Sequence, residues 1–155
     1  MTRVRAVAFD VDGVLTDGAV WWGPEGQEWK RFCFRDIMGV SLARNAGLAL
    51  ALISGEDSPL VDRFAVKMGI ADVYKGCKDK AAALREFAAA CGLGLDEVAF
   101  MGDDVNDVPA LKISGFPVSP GDGHAAARDV AAFVTEACGG HGAVRELLDR
   151  LLAGA

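Results

Sequence analysis

The stretch Phe9-Asp10-Val11-Asp12-Gly13-Val14-Leu15-Thr16 closes a run of Val, Ala and Phe that begins at Arg5. The run, residues 5–11, predicts a short strand buried on both faces, because its apolar side chains do not alternate with polar ones. Gly13 ends it. Asp10 and Asp12 lie two residues apart at the strand's carboxyl end, and persisting strand geometry would point them to one side. A carboxylate can attack a phosphoryl group to give an acyl-phosphate. A second carboxylate can protonate the leaving group and later take a proton from water. Gly13 lets the backbone turn tightly and approach phosphate oxygens. The plain alternative is an Asx-type turn that closes a strand.

Outward from this stretch, the chain alternates apolar runs with amphipathic ones. Residues 18–34 are dense in Gly and aromatics, and 20–22 with 28–34 read as a β-hairpin around Gly23-Pro24-Glu25-Gly26. Helices are predicted over 36–45, over 59–68 after Ser58-Pro59, over 79–90, 108–113, 125–131 and 143–152. Strands are predicted over 48–54, 71–74, 97–101, 116–118 and 133–134. Strands alternating with helices imply an α/β fold, a Rossmann-like parallel sheet with helices on both faces and one hairpin insertion. Residues 1–155 read as one domain, with the insertion at about 18–35 and a tail at about 138–155. Ligands of such sheets bind at the carboxyl ends of the strands.

Three further groups follow predicted strands or open helices. Gly102-Asp103-Asp104-Val105-Asn106-Asp107 crowds acids that are costly to cluster without a cation, and hard oxygen donors favour Mg2+. The alternative is a solvated acidic loop, with Asp107 as a helix cap. Ser54, with Gly55 after it, ends the strand over 48–54 and offers a hydroxyl and backbone N–H to a phosphate oxygen. Lys80 opens a helix, where a cation would neutralise phosphate and nucleophile together. Lys78 competes with it for that role.

Composition narrows the partners. The chain has 155 residues, is 52% hydrophobic and carries a net charge of −6. An acidic surface argues against nucleic acid and anionic membranes. No apolar run reaches the roughly 18 residues of a membrane helix. The basic start, residues 1–5, does not read as a secretory leader. Cys33, Cys77, Cys91 and Cys138 form no CxxC pair and no zinc spacing, and are read as small core residues of a cytoplasmic protein.

In combination, DxDGVxT at Asp10, the strand-end Ser54, Lys80 and the GDDxND at Gly102 resemble the haloacid dehalogenase superfamily of phosphohydrolases. The resemblance spans nearly the whole chain. It implies Asp10 as nucleophile and Asp12 as general acid/base. It also implies Mg2+ held by Asp10, the Asp12 backbone carbonyl and Asp103, with Asp104 and Asp107 in support. Ser54, Gly55 and Lys80 would bind the transferring phosphoryl group. Many members carry a cap domain. The segments between Asp12 and Ser54, and between Ser54 and Lys80, are too short for one.

A narrower resemblance rests on DVDGVLTDG at Asp10, FRDIMGVSLARNAG at Phe34 and the Gly-rich tail Gly139-Gly140-His141-Gly142-Ala143-Val144-Arg145-Glu146. These look like the family of capless 3-deoxy-D-manno-octulosonate 8-phosphate (KDO 8-phosphate) phosphatases. That family includes phosphatases of nonulosonate 9-phosphates such as those of KDN and N-acetylneuraminate. It implies a small phosphorylated sugar acid as substrate, with Thr16, Glu56, Lys67, Arg35 and Arg145 near it. The family's members are tetramers whose tail can reach a neighbour's site, which would bring Arg145 or His141 to substrate. Gly55-Glu56 and Lys67 follow the nonulosonate branch. Phe64 stands where an arginine is usual, and Arg35-Asp36-Ile37 replaces the family's Arg-Asp-Gly.

Trp21, Trp22 and Trp29 on one short hairpin are hard to bury in a chain of this size, so a homotetramer through the hairpins is expected. Competing readings are a non-catalytic module beside a sialic acid or KDO cytidylyltransferase, a receiver domain, and a broad sugar-phosphate phosphatase or mutase. The intact Asp10, Asp12, Lys80 and Asp103 set opposes the first. The two-residue spacing and the late GDDxND oppose the second. An open, capless site favours hydrolysis over mutase chemistry.

Overall fold

In the computed structural model, which describes residues 4–154, the apolar runs form one parallel sheet of six strands. In chain order the elements are β1 (Ala6–Phe9), the hairpin strands β2 (Trp21–Trp22) and β3 (Glu28–Trp29), α1 (Phe34–Asn45), β4 (Ala49–Ile53), α2 (Pro59–Met68), β5 (Asp72–Tyr74), α3 (Lys80–Ala90), β6 (Val98–Met101), α4 (Val108–Ile113), β7 (Phe116–Ser119), α5 (Ala125–Val130), β8 (Phe133–Val134) and α6 (Ala143–Ala153). Residues 1–3 of the basic start, and Ala155, lie outside the described residues.

The strand order β5-β4-β1-β6-β7-β8 places β1 between β4 and β6. The chain steps outward from β1 to β4 and β5, then returns to the other side of β1. The strand order therefore reverses beside β1, where open α/β sheets gather their ligands. Period-two alternation sorts the core into two layers. Val7, Phe9, Leu50, Leu52, Ala99 and Met101 face the helices α1, α2 and α6. Ala6, Ala8, Ala51, Ile53, Val98 and Phe100 face α3, α4 and α5. In α6, Val144, Leu147 and Leu148 are fully buried, each worth about 1.5–3 kcal/mol.

The predicted elements are present, most with ends that differ by one or two residues, while β3, read over 28–34, stops at Trp29. Three local differences bear on the site. β1 stops at Phe9, not Val11. The N–H groups of Val14, Leu15 and Thr16 all turn back to the Val11 carbonyl, so strand geometry does not extend through Asp12. α1 begins at Phe34, two residues early, as the Ile37 N–H closes onto the Cys33 carbonyl. Residues Val105–Asp107, read as loop, form a turn of 3₁₀ helix that leads into α4.

The hairpin strands are only two residues each, pairing Trp21 with Trp29 and Trp22 with Glu28. Trp21, Trp22 and Trp29 stay 71%, 77% and 54% exposed, so the indoles do not pack on the core. The hairpin is anchored by Phe32, which stacks on Phe64 of α2 with ring centroids 4.8 Å apart. That contact accounts for the aromatic residue at position 64.

Candidate active site

Asp10 leaves β1 at its carboxyl end, its N–H bonded to the Met101 carbonyl of β6. Its carboxylate is buried, with Oδ1 2.9 Å from Lys80 Nζ. Lys80 is the first residue of α3, whose cap is Asp79, accepting from the Ala82 N–H. That cap fixes the first turn and turns Lys80 inward, while Lys78 is exposed. Lys80 Nζ also meets Asp107 Oδ1 at 2.6 Å. The other Asp107 oxygen accepts the N–H groups of Asp103 and Asp104, at 2.8 and 3.2 Å. Asp107 stands at the cap position of α4 but makes no side-chain cap bond. The alternative of a helix cap therefore does not hold: the Asp107 carboxylate is used on the acidic loop and on Lys80.

The carboxylates of Asp10, Asp103 and Asp107 bring ligand oxygens within 4.8 Å of one another. Burial is the main force raising the Asp10 carboxyl well above the usual range; Asp107 adds to it, and Lys80 only partly offsets it. Asp103 is pushed up to about 6, first by burial, with Asp107 and Asp104 adding to the rise. Burial pulls the Lys80 ammonium down, but Asp10 and Asp107 more than compensate, so it stays charged. Three carboxylates therefore face one buried ammonium. A divalent cation would supply the missing positive charge, and the all-oxygen donor set fits a hard ion.

Gly13 forms the other wall. Its φ is +84°, and a Cβ there would lie 1.9 Å from Asp103 Oδ2, so only glycine lets the two loops close. Thr16 is fully buried, and its hydroxyl accepts the N–H groups of Gly13 and Gly18. The expected substrate contact at Thr16 is corrected accordingly: Thr16 shapes the loop and presents nothing to solvent.

Asp12 has its own cation. Lys30, at the foot of the hairpin, places Nζ 2.9 Å from Asp12 Oδ1 and 3.0 Å from Oδ2. The two aspartates border one cleft but are held by different lysines. Burial lowers the Lys30 pKa, yet Asp12 and then Glu28 raise it above the ordinary value.

The cleft holds about 250 Å³ and is lined by Asp10, Asp12, Lys80, Asp103 and Asp104 together with Gly18, Gly55, Glu56 and Asn106. Ser54 is buried just beneath Gly55, its Oγ accepting the Glu56 N–H at 3.1 Å, which leaves the hydroxyl proton free to donate. Arg35 and Lys67 are exposed and do not border the cleft. Arg145 also lies off it, with Nε bonded to both oxygens of Asp149 at 2.8 and 2.9 Å. His141 contacts Arg31, its Nε2 3.0 Å from the guanidinium. The Gly-rich tail lies on its own chain: the Gly140 N–H meets the Val14 carbonyl, and a Cβ on Gly139 would lie 1.8 Å from the Gly13 oxygen. Lys30 and Asn106 escaped the sequence reading. Asn106 was visible within the acidic motif but counted only as an amide, and no pattern singles out Lys30 among the hairpin's charges.

A family model described as haloacid dehalogenase-like hydrolase matches residues 52–147. The chain belongs to the haloacid dehalogenase-like hydrolases. This hydrolase is 36% identical over 150 residues to the 3-deoxy-D-manno-octulosonate 8-phosphate phosphatases KdsC of Salmonella typhi and of Escherichia coli K12, covering 97% of this chain and 80% of each relative. Its fold is similar to that of the Moraxella catarrhalis 3-deoxy-D-manno-octulosonate 8-phosphate phosphatase solved with magnesium, phosphate and KDO. The TM-score is 0.94 at 37% identity, over 97% of this chain and 86% of that one. The cobalt-bound deoxy-D-mannose-octulosonate 8-phosphate phosphatase of Haemophilus influenzae gives 0.94 at 32% identity, over 97% and 88%.

Proposed function

We propose that this phosphoric monoester hydrolase removes the phosphate of a 3-deoxy-2-keto sugar acid, with KDO 8-phosphate as the leading substrate. The observation that carries the reading is the buried Asp10 carboxylate at the carboxyl edge of β1, with Lys80 at 2.9 Å and Asp103 and Asp107 beside it. Asp10 Oδ attacks phosphorus, and the bond from phosphorus to the ester oxygen breaks. Asp12 gives its proton to the departing alkoxide. Water then attacks the aspartyl-phosphate, Asp12 takes its proton, and inorganic phosphate leaves with Asp10 restored. Lys80 and the Ser54–Gly55 turn hold the equatorial oxygens. Mg2+, held by Asp10, Asp103 and the Asp12 carbonyl, would neutralise charge between two anions. Asp104 and Asp107 support that site, Asp107 by tying the loop to Lys80.

Relatives named as KDO 8-phosphate phosphatases support the octulosonate. A second reading, a nonulosonate 9-phosphate, is favoured by Glu56 in the cleft lining. Arg35, Lys67 and Arg145 serve either reading only as contacts to a neighbouring subunit's cleft. A homotetramer through the hairpins is part of the proposal, and so is a cytoplasmic location, in keeping with four free thiols. No helix among the described residues is long and apolar enough to cross a membrane.

The test is phosphate release with Mg2+ from KDO 8-phosphate, KDN 9-phosphate, N-acetylneuraminate 9-phosphate and hexose phosphates. One ulosonate should be preferred, and Asp10→Asn should lower the rate by more than about 10³-fold. Equal rates on all esters would point to a broad sugar-phosphate phosphatase. No release from any would favour the non-catalytic module.

A further inference from the structure

The hairpin carries a residue that its exposure pattern would not announce. Trp29 and Arg31 face solvent, but the Lys30 side chain between them is 4% exposed. A lysine at the edge of a small hairpin ordinarily runs its stem along the surface and keeps its ammonium in water. Lys30 instead points down onto the catalytic loop. Its Nζ bonds both oxygens of Asp12, at 2.9 and 3.0 Å, with Glu28 Oε1 at 3.5 Å as its remaining acidic neighbour. Asp12 in turn stands apart from the tight carboxylate group of Asp10, Asp103 and Asp107.

We infer that Lys30 is the positioning residue of Asp12, holding the acid/base carboxylate toward the departing oxygen and away from the three-carboxylate cluster. The inference rests on the phosphatase reading. A carboxylate one residue from a φ-positive glycine, beyond the end of β1, has no strand to orient it. Nor does any backbone N–H among the described residues bond its oxygens; Lys30 alone does. Each carboxylate oxygen keeps a further lone pair for the proton it must carry. Misplacement of a catalytic group by about 1 Å is enough to cost on the order of a hundredfold in rate.

Proton delivery matters for a poor leaving group and little for a good one, which separates positioning from a structural role. The probes are KDO 8-phosphate, which leaves as an alkoxide, and p-nitrophenyl phosphate, which leaves as a stabilised phenolate. Lys30→Met and Lys30→Gln should each lower kcat/KM at least about tenfold on the sugar ester, a share of the 10²–10⁴-fold that general acids supply, and less than about threefold on the aryl ester. The ratio of the two, taken on one preparation, cancels any loss of folded protein. Lys30→Arg should keep the ratio near wild type. Lys30→Met added to Asp12→Asn should lower the sugar-ester rate no further.

Equal losses on both esters, or no loss on either, would overturn the inference. Wild-type protein inactive on both would overturn the phosphatase reading and the inference with it. Wild-type protein active on the aryl ester alone would overturn only the sugar-acid substrate, and glycerol 1-phosphate would then serve as the alkyl ester.

Discussion

Lys80 and Lys30 each hold one member of the Asp10–Asp12 pair, but in different surroundings. Lys80 is 2% exposed, seated on the first turn of a capped helix, between two carboxylates that are themselves buried. Lys30 hangs from a hairpin of two-residue strands and meets a carboxylate that is 31% exposed. The first arrangement is built into the sheet's edge. The second is delivered by an insertion held by the Phe32–Phe64 stack and by Arg31, which meets the Gly140 carbonyl and His141. The contrast teaches that Asp10 and Asp12, two residues apart, are separable in energy: one is paired by a lysine of the core, the other by a lysine of an appendage.

The sharpest way to break this comparison is Lys80→Met. It strands two buried carboxylates, and removing one partner of a buried pair costs about 3–5 kcal/mol. Denaturant unfolding of metal-free protein should show it, along with loss of hydrolysis. A loss below about 1 kcal/mol would mean that the two lysines are equivalent after all.

Cation binding comes next. Mg2+ at about a hundred times its dissociation constant should stabilise the fold by about 2.7 kcal/mol. The pH dependence has a definite sign. Asp103 is raised from 3.8 to about 6 in the folded chain, so between those values the folded state holds more protons than the unfolded. Metal-free stability due to this group is full below about 4 and falls as pH rises through about 6. Protons and the cation compete for the same oxygens, so the Mg2+-induced rise in Tm should be larger at pH 7.5 than at pH 5. A rise that grows toward acid pH would contradict the assigned cluster.

Lys30→Met should cost less than Lys80→Met, because Asp12, 31% exposed, keeps contact with water when its buried partner is removed. Its effect belongs to turnover. The smallest change in chain stability is expected at the hairpin tip. Trp21→Ser with Trp22→Ser should alter monomer stability within about 0.5 kcal/mol, since both indoles are already in solvent. The same pair should shift sedimentation from the proposed tetramer to monomer. A wild-type monomer at micromolar concentration would remove the hairpin association.

That Asp10, Lys80 and the acidic loop come together was legible because each follows or opens an element whose signal is local. β1, β4 and β6 are apolar runs that must be buried, and parallel strands bring their carboxyl ends together. Asp10, Ser54 and Asp103 therefore converge without any long-range information. Lys80 was legible from its place at the start of a predicted helix, while its choice over Lys78 needed the Asp79 cap that the structure shows.

Side-chain destinations were not legible. Reading Asp10 and Asp12 as one-sided assumed a strand that ends at Phe9, because the turn onto the Val11 carbonyl takes over. Asp107 could as well have capped α4, until Lys80 and the loop N–H groups claimed its oxygens. Asp36 reads as a helix-start acid, yet it is buried beneath α6, where its Oδ1 accepts the Arg145 N–H across 109 residues. Lys30 meets Asp12 only when the hairpin folds back. Local propensity and apolar patterning settle which segments become strands and helices, since those choices depend on near neighbours. Which acid meets which base depends on distances between segments far apart in the chain, and only the folded packing sets them.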